Sequence, residues 1–184
     1  MHATTTYPME FQPNFFSDNA VTINRPLSTV FTVLGTDNGL ERGILLSTLA
    51  SGFQTLEKDN VAVAGPLEDA FVRTATAAPD GLPRQRFQFK ETVKIIPGLS
   101  FSYVEVNLRG TLTWDETRNV ALYETTNGGS ILVKKVRKFE EVDGSTKVSE
   151  SIYGQCPAFQ KLIVQLTTAK AHRAHMNLYH TLFE

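Results

Sequence analysis

Three glutamates of this chain fall in step with apolar residues. Glu91 follows Phe87 and Phe89 and precedes Val93 and Ile95 at two-residue spacing; Glu150 keeps phase with Thr146, Val148 and Ile152, and Glu124 with Val120 and Leu122. Such alternation marks the buried face of a strand, so three strands would aim carboxyls into an apolar interior. Desolvation there raises a carboxyl pKa, and a carboxyl poised near neutrality can take and return a proton in enolisation, dehydration or ring closure. The same acids can instead lie near an open end of the sheet, or pair with an inward Arg137 or Lys135, and do no chemistry. At Glu124, Ala121 and Tyr123 compete for the inward face.

Three of the four histidines lie near the C-terminus. His172 shares a helical stripe with Ala169, Met176 and Tyr179, where an imidazole facing a ligand would shuttle a proton near neutral pH. The competing reading is a histidine bonded to a backbone carbonyl or to water at the helix end. His172 and His175 are three apart and could share a metal, but no third ligand stands at a fixed spacing, so neither metal nor cofactor is expected. Tyr103, Tyr123, Tyr153, Tyr179 and Trp114 offer apolar bodies with polar tips, suited to an oily, oxygenated ligand or to ordinary packing. Cys156 precedes Pro157 at an expected helix start, where the helix dipole lowers a thiol pKa, yet no histidine is close in sequence and it reads as a capping or packed residue. The candidate catalytic set is therefore Glu91, Glu150 and His172. Candidate ligand contacts on the strands are Phe87, Phe89, Tyr103, Trp114, Tyr123, Glu124 and Arg137; on the helix they are Leu166, Met176 and Tyr179.

Positioning these groups requires one long helix and a run of strands. Cys156 to Phe183 holds no internal Gly or Pro, and Phe159, Leu162, Leu166, Ala169, Met176, Tyr179 and Phe183 recur at three- and four-residue steps, the mark of one buried stripe. Pro157 suits a first helical position. About 26 residues predict a rod of roughly 39 Å. Upstream, Phe15 to Ile23 reads as a strand, Leu27 to Leu34 as a short helix, and about Leu40 to Leu49 as a second helix presenting Leu40, Ile44, Leu45 and Leu49. Phe53 to Leu56, Val61 to Ala64 and Phe71 to Thr76 are weaker strand patterns, and Ala77 to Pro83 is a loop able to rim a cavity. Arg84 to Ile96, Phe101 to Trp114, Val120 to Thr126, Ile131 to Val142 and Thr146 to Tyr153 alternate as strands, the last two joined by Asp143-Gly144. Arg86, Lys90 and Lys94 form a basic stripe on the outer face, with Glu105 as a neighbouring partner.

A chain of 184 residues fits one domain, here residues 14–184 after a loose Thr-rich lead-in at 1–13. Its 18 Lys and Arg nearly balance 19 Asp and Glu, which argues against a nucleic-acid or anionic-membrane footprint. The single cysteine excludes an internal disulfide. With no apolar run suited to a signal peptide or a membrane helix, the expectation is a soluble cytoplasmic protein, monomeric or homodimeric.

The order of strand, two short helices, antiparallel strands and one long C-terminal helix resembles the START-like superfamily, also called SRPBCC or Bet v 1-like. Ile23-Asn24-Arg25-Pro26-Leu27 followed by Val30-Phe31 looks like that superfamily's entry into its first helix. Asp143-Gly144-Ser145-Thr146-Lys147-Val148, leading through Ser149-Glu150 to Gly154 and Pro157, is similar to its last hairpin. The resemblance implies an α+β helix-grip fold, with a curved sheet wrapped around the terminal helix and a hydrophobic cavity between them. Members bind lipids, sterols, hormones, polyketides or alkaloid precursors; some only carry the ligand, while others cyclise, dehydrate, condense or hydrolyse it. No catalytic residue is shared across the superfamily. The leading expectation is a cofactor-independent cyclase or dehydratase acting on a polyketide- or terpenoid-like intermediate, of lyase or isomerase type, with acid–base help from glutamates. The alternatives are a carrier of a lipid-like ligand and a protein-interaction domain.

Overall fold

The computed structural model describes residues 11–94, 103–129 and 131–184, with only the backbone at residues 93, 94, 103, 163 and 166. Seven strands form one antiparallel sheet: β1 (Phe15–Ile23), β2 (Ala50–Val61), β3 (Leu82–Lys94), β4 (Tyr103–Asp115), β5 (Val120–Thr126), β6 (Leu132–Val142) and β7 (Ser145–Gln155), in the order β1-β7-β6-β5-β4-β3-β2. Helices α1 (Leu27–Leu34) and α2 (Leu40–Leu45) connect β1 to β2, and α3 (Lys161–Asn177) follows β7. The β6–β7 hairpin turns on Asp143 and Gly144, both at positive φ (50° and 74°), the geometry that matches the twist of paired strands and that Asp-Gly sequences favour.

Alternation decides which side chains meet. On the concave face Phe87, Phe89, Leu112, Trp114, Ala121, Phe139 and Val148 join Val30, Phe31, Leu34 and Leu40 of the two short helices, with Met176 and Tyr179, in the main core. Phe31 meets Phe139 edge-on at 5.0 Å. A second core lies on the convex face, where Leu67 and Val72 of the β2–β3 connection cover Val61, Val120, Leu122 and Val136.

The region between α2 and β3 differs from expectation. α2 stops at Leu45 and leaves Leu45 and Leu49 exposed. Ser51 to Asn60 lies within one long strand, β2, whose pairing with β3 is broken by irregularities between Ser51 and Gln54 and between Thr55 and Lys58. Those shifts disrupt the two-residue period from which the sequence pattern takes its signal. Phe71 to Thr76 forms no strand and belongs to a strap over the convex face. Buried Arg84 ties that strap to the sheet: it pairs with Asp59 through Nε (2.8 Å) and Nη2 (2.6 Å), and donates Nη1 to the carbonyls of Val72 and Ala75. Backbone closes tightly at Gly81, where a Cβ would lie 2.2 Å from the Val61 carbonyl.

The terminal helix is shorter than the sequence predicts. Helix α3 has 17 residues, about 26 Å, and ends before a 3-10 turn at Tyr179–Phe183. Residues 157–160 form turns, with Gln160 donating to the Pro157 carbonyl (2.9 Å), so Pro157 precedes the helix and does not open it. Among the described side chains of the predicted stripe, burial is confined to its C-terminal end. Met176 and Tyr179 are enclosed, whereas Phe159 is 80% and Leu162 71% exposed and Ala169 also faces solvent. The cause is the docking of α3: the Gln165 amide accepts from the Phe16 N–H and donates to the Phe16 carbonyl, both at 2.9 Å. It thereby occupies free backbone groups of edge strand β1. Of the predicted lead-in, residues 1–10 lie outside the described residues, and the Phe11 ring packs on Phe71 at 4.5 Å.

Candidate functional site

Strand register brings a set of polar side chains onto the concave face. Glu150 on β7 stands opposite Arg137 on β6, Lys135 and Tyr123 are partners on β6 and β5, and Glu91 extends the Phe87–Phe89 face of β3. Helix α3 contributes His172 and His175, and the turn after it contributes Tyr179. Two of the three predicted inward acids therefore share one interior.

Glu150 is fully enclosed and crowded by donors. Its Oε2 accepts from Arg137 Nε at 2.6 Å and from the Tyr179 hydroxyl at 3.0 Å, and Arg137 Nη2 donates to that hydroxyl at 2.7 Å. The remaining Arg137 nitrogen, Nη1, donates to the Leu34 carbonyl. Oε1 has His172 Nε2 at 3.0 Å and Lys135 Nζ at 3.3 Å, but neither is aligned for a hydrogen bond. Burial pushes the Glu150 carboxyl up, yet Arg137, Lys135 and His172 outweigh it and hold the group well below the usual carboxylate range. That corrects the expectation of a raised pKa here: the paired reading holds for Glu150, because the inward arginine and lysine stabilise its charged form. Burial also pushes the Tyr179 hydroxyl far above its ordinary value.

Glu91 is the opposite case. It forms no hydrogen bond or ion pair with any described residue. Burial raises its carboxyl above the ordinary value, and Lys135 offsets this only in part. Tyr123 lies near it, its hydroxyl pushed well up by burial and by the Glu91 charge, its ring stacked on Phe87 at 5.2 Å and under Lys135 Nζ at 5.0 Å.

His172 is buried, with Nδ1 2.8 Å from the Ser17 hydroxyl. Held between Ser17 and Glu150, it is positioned by strand side chains and not by a helix-end carbonyl. His175 instead meets the Gly43 carbonyl at 2.8 Å, and burial with the Lys135 charge lowers its pKa to about 4. Sequence reasoning missed Ser17, whose place beside His172 is fixed by β1 pairing with β7, and passed over Lys135 as more than a partner for an acid.

Glu124 does not belong to this site. The pairing of Tyr123 with Lys135 sends Glu124 to the convex face beside Lys134, where its Oε2 accepts from the Val72 N–H at 3.1 Å. One residue of offset on a strand reverses the face. Phe87, Phe89 and Trp114 are concave core residues, and the Trp114 ring carries Lys58 Nζ at 4.9 Å. The side chains of Tyr103 and Leu166 lie outside the described residues, and Tyr153 is an exposed residue packed on Phe16. Cys156 is a packed residue, as one of the two expected readings has it: it is buried ahead of α3, with residues 157–160 between it and the helix, and burial raises its thiol pKa. On the outer face Lys90 pairs with Glu105 at 2.8 Å, as expected.

Among the described residues, no three His, Cys, Asp or Glu side chains are placed to hold a metal ion, and no helix is long and apolar enough to cross a membrane. Two clefts, of about 470 and 600 Å³, lie along the Ala77–Leu82 loop at the β2–β3 end of the sheet, away from the concave cluster. Within that cluster Lys135 and Arg137 each keep 14% of their side-chain surface, and Glu91, Tyr123 and His175 are also partly accessible.

No protein-family model and no curated protein matches the chain by sequence. Solved structures do. Norcoclaurine synthase from Thalictrum flavum superposes with a TM-score of 0.53 at 10% identity, covering 100% of this chain and 96% of that one. The hypothetical protein jhp0584 from Helicobacter pylori gives 0.56 at 12% identity, covering 98% and 99%, and the KanY protein gives 0.57 at 14%, covering 93% and 97%. With a seven-stranded curved antiparallel sheet, two short helices after the first strand and a C-terminal helix, the chain has the Bet v 1-like, or SRPBCC, helix-grip fold.

Proposed function

We propose that this protein binds a largely apolar, oxygenated small molecule between the concave sheet and α3 and promotes its cyclisation or dehydration without a cofactor. The observation that carries this reading is the Glu91 carboxyl: it faces the interior, has no hydrogen-bond or ion-pair partner among the described residues, and is desolvated enough for its pKa to rise. A carboxyl in that state is a stronger base when ionised and is free to bond a guest. Phe87, Phe89, Leu108 and Tyr123 supply an apolar bed for the guest's body, and holding a flexible chain against it removes entropy from a ring-closing barrier. Glu150, committed to Arg137 and Tyr179, anchors the cluster and does not exchange protons with the guest.

The test is incubation with a panel of oxygenated polyketide- and terpenoid-type compounds, followed by native mass spectrometry of the complex and mass analysis of what is released. The expected result is one bound guest whose conversion falls at least a hundredfold in Glu91→Gln while binding persists. Binding without conversion in the unaltered protein would support the second reading, a carrier, which the pairing of Glu150 with Arg137 favours by leaving one free acid instead of two.

A further inference from the structure

Two cations, Arg137 and Lys135, face two carboxylates, Glu150 and Glu91, in the concave cluster, and they are not paired one to one. Arg137 alone gives Glu150 a short charge-assisted bond, and Tyr179 and His172 add contacts to the same carboxylate. Lys135 is thus a second cation beside an acid that Arg137 already pairs, and its charge also reaches Glu91. Its ammonium carries three N–H donors, yet it donates no hydrogen bond to any described residue. With 14% of its side-chain surface accessible and no hydrogen bond donated to a described residue, the ammonium has donors to offer an entering oxygen. The Tyr123 ring beneath it restrains the amine on one side without using a donor in a hydrogen bond. Glu91 lies across the same interior, near enough for the two charges to influence each other.

We propose that Lys135 Nζ binds the carbonyl oxygen of the guest as it becomes an enolate, while Glu91 takes the proton from the adjacent carbon, so that the substrate class is an enolisable ketone or aldehyde with an apolar body. This deepens the function proposed above and rests on its interior binding site. In the step, the C–H bond breaks and its electron pair forms the carbon–carbon double bond. The carbonyl π pair moves onto oxygen, where the ammonium stabilises it. The proton held by Glu91 then goes to a departing β-hydroxyl, which leaves as water, or to the alkoxide formed when the enolate carbon closes on a second carbonyl. Atoms and charge balance with no further reactant.

The probe is para-nitrophenol, whose phenolate resembles an enolate oxygen on a flat apolar body and whose colour reports ionisation. N-phenylnaphthylamine, a neutral fluorophore, reads occupancy of the interior independently. In the unaltered protein, bound nitrophenol should ionise at a pH lower by about one unit or more, a tenfold preference for the anion. Lys135→Met should abolish that shift and Lys135→Arg restore most of it, with N-phenylnaphthylamine binding retained in both. An unchanged shift in Lys135→Met would overturn the assignment while leaving the binding site intact. Failure of the unaltered protein to bind N-phenylnaphthylamine at all would instead overturn the interior site and this inference with it.

Discussion

Glu150 and Arg137 face each other on β7 and β6, and Arg137 Nε meets Glu150 Oε2 at 2.6 Å while Tyr179, beyond the end of α3, donates to the same oxygen. The pair therefore ties sheet to C-terminal segment as well as strand to strand. Removing Arg137 leaves the buried Glu150 with only Lys135 and His172, neither aligned for a hydrogen bond, which costs up to about 3–5 kcal/mol. Arg137→Met should lower unfolding stability by that amount in urea titration, and the double variant Arg137→Met/Glu150→Gln should recover most of it. Equal stability of the single and double variants would contradict the coupling.

Within the concave cluster, two groups contribute acid sensitivity of known sign. Glu150 is held below its ordinary value of 4.5, so its contribution is present above that pH and lost as pH falls through the lower folded-state value. His175 is lowered from 6.5 to about 4; between those values the unfolded chain binds a proton that the folded chain refuses, so stability falls as pH drops. Glu91, raised above 4.5, works the other way, contributing stability at low pH that fades as pH rises through its folded-state value. His175→Gln keeps a donor for the Gly43 carbonyl and should flatten the stability slope between pH 6.5 and 4 by up to about 1.4 kcal/mol per pH unit. An unaltered slope in equilibrium unfolding across that range would show that His175 does not titrate this way.

The placement of α3 predicts a sharp contrast along one apparent stripe. Met176 is enclosed, and Met176→Ala should cost about 2–5 kcal/mol. Phe159→Ser and Leu162→Ser remove exposed side chains and should each change stability by less than about 0.5 kcal/mol. Thermal or urea unfolding of the three variants decides it, and a large loss at Leu162 would place the helix deeper over the sheet.

Strands with an unbroken two-residue period were legible in the sequence, because period and pairing both follow from side-chain direction. Glu91 and Glu150 were correctly assigned to one interior by that rule alone. Glu124 was not, since Val120 and Leu122 are apolar for a different reason: the strap bearing Leu67 and Val72 covers the convex face, and a strand buried on both sides loses its alternation. The irregular pairing of β2 hid a long strand in the same manner. In α3, three- and four-residue spacing records a helix but not where the sheet ends beneath it, and Gln165 on the β1 edge decides that. The apparent reach of Phe159 and Leu162 into a core was a consequence. The partners of Glu150 lie up to 29 residues away in sequence, and spacing carries no trace of such contacts.

The proposed function requires that the interior between sheet and helix admit an apolar guest. Trp114, the single tryptophan, lies on the concave face, so energy transfer from it to N-phenylnaphthylamine reads occupancy directly. Saturable one-to-one quenching of Trp114 emission is expected, weakened at least tenfold by Ala50→Phe, which would fill space beside Glu91 on the paired strand. No saturable quenching, or quenching indifferent to Ala50→Phe, would contradict it.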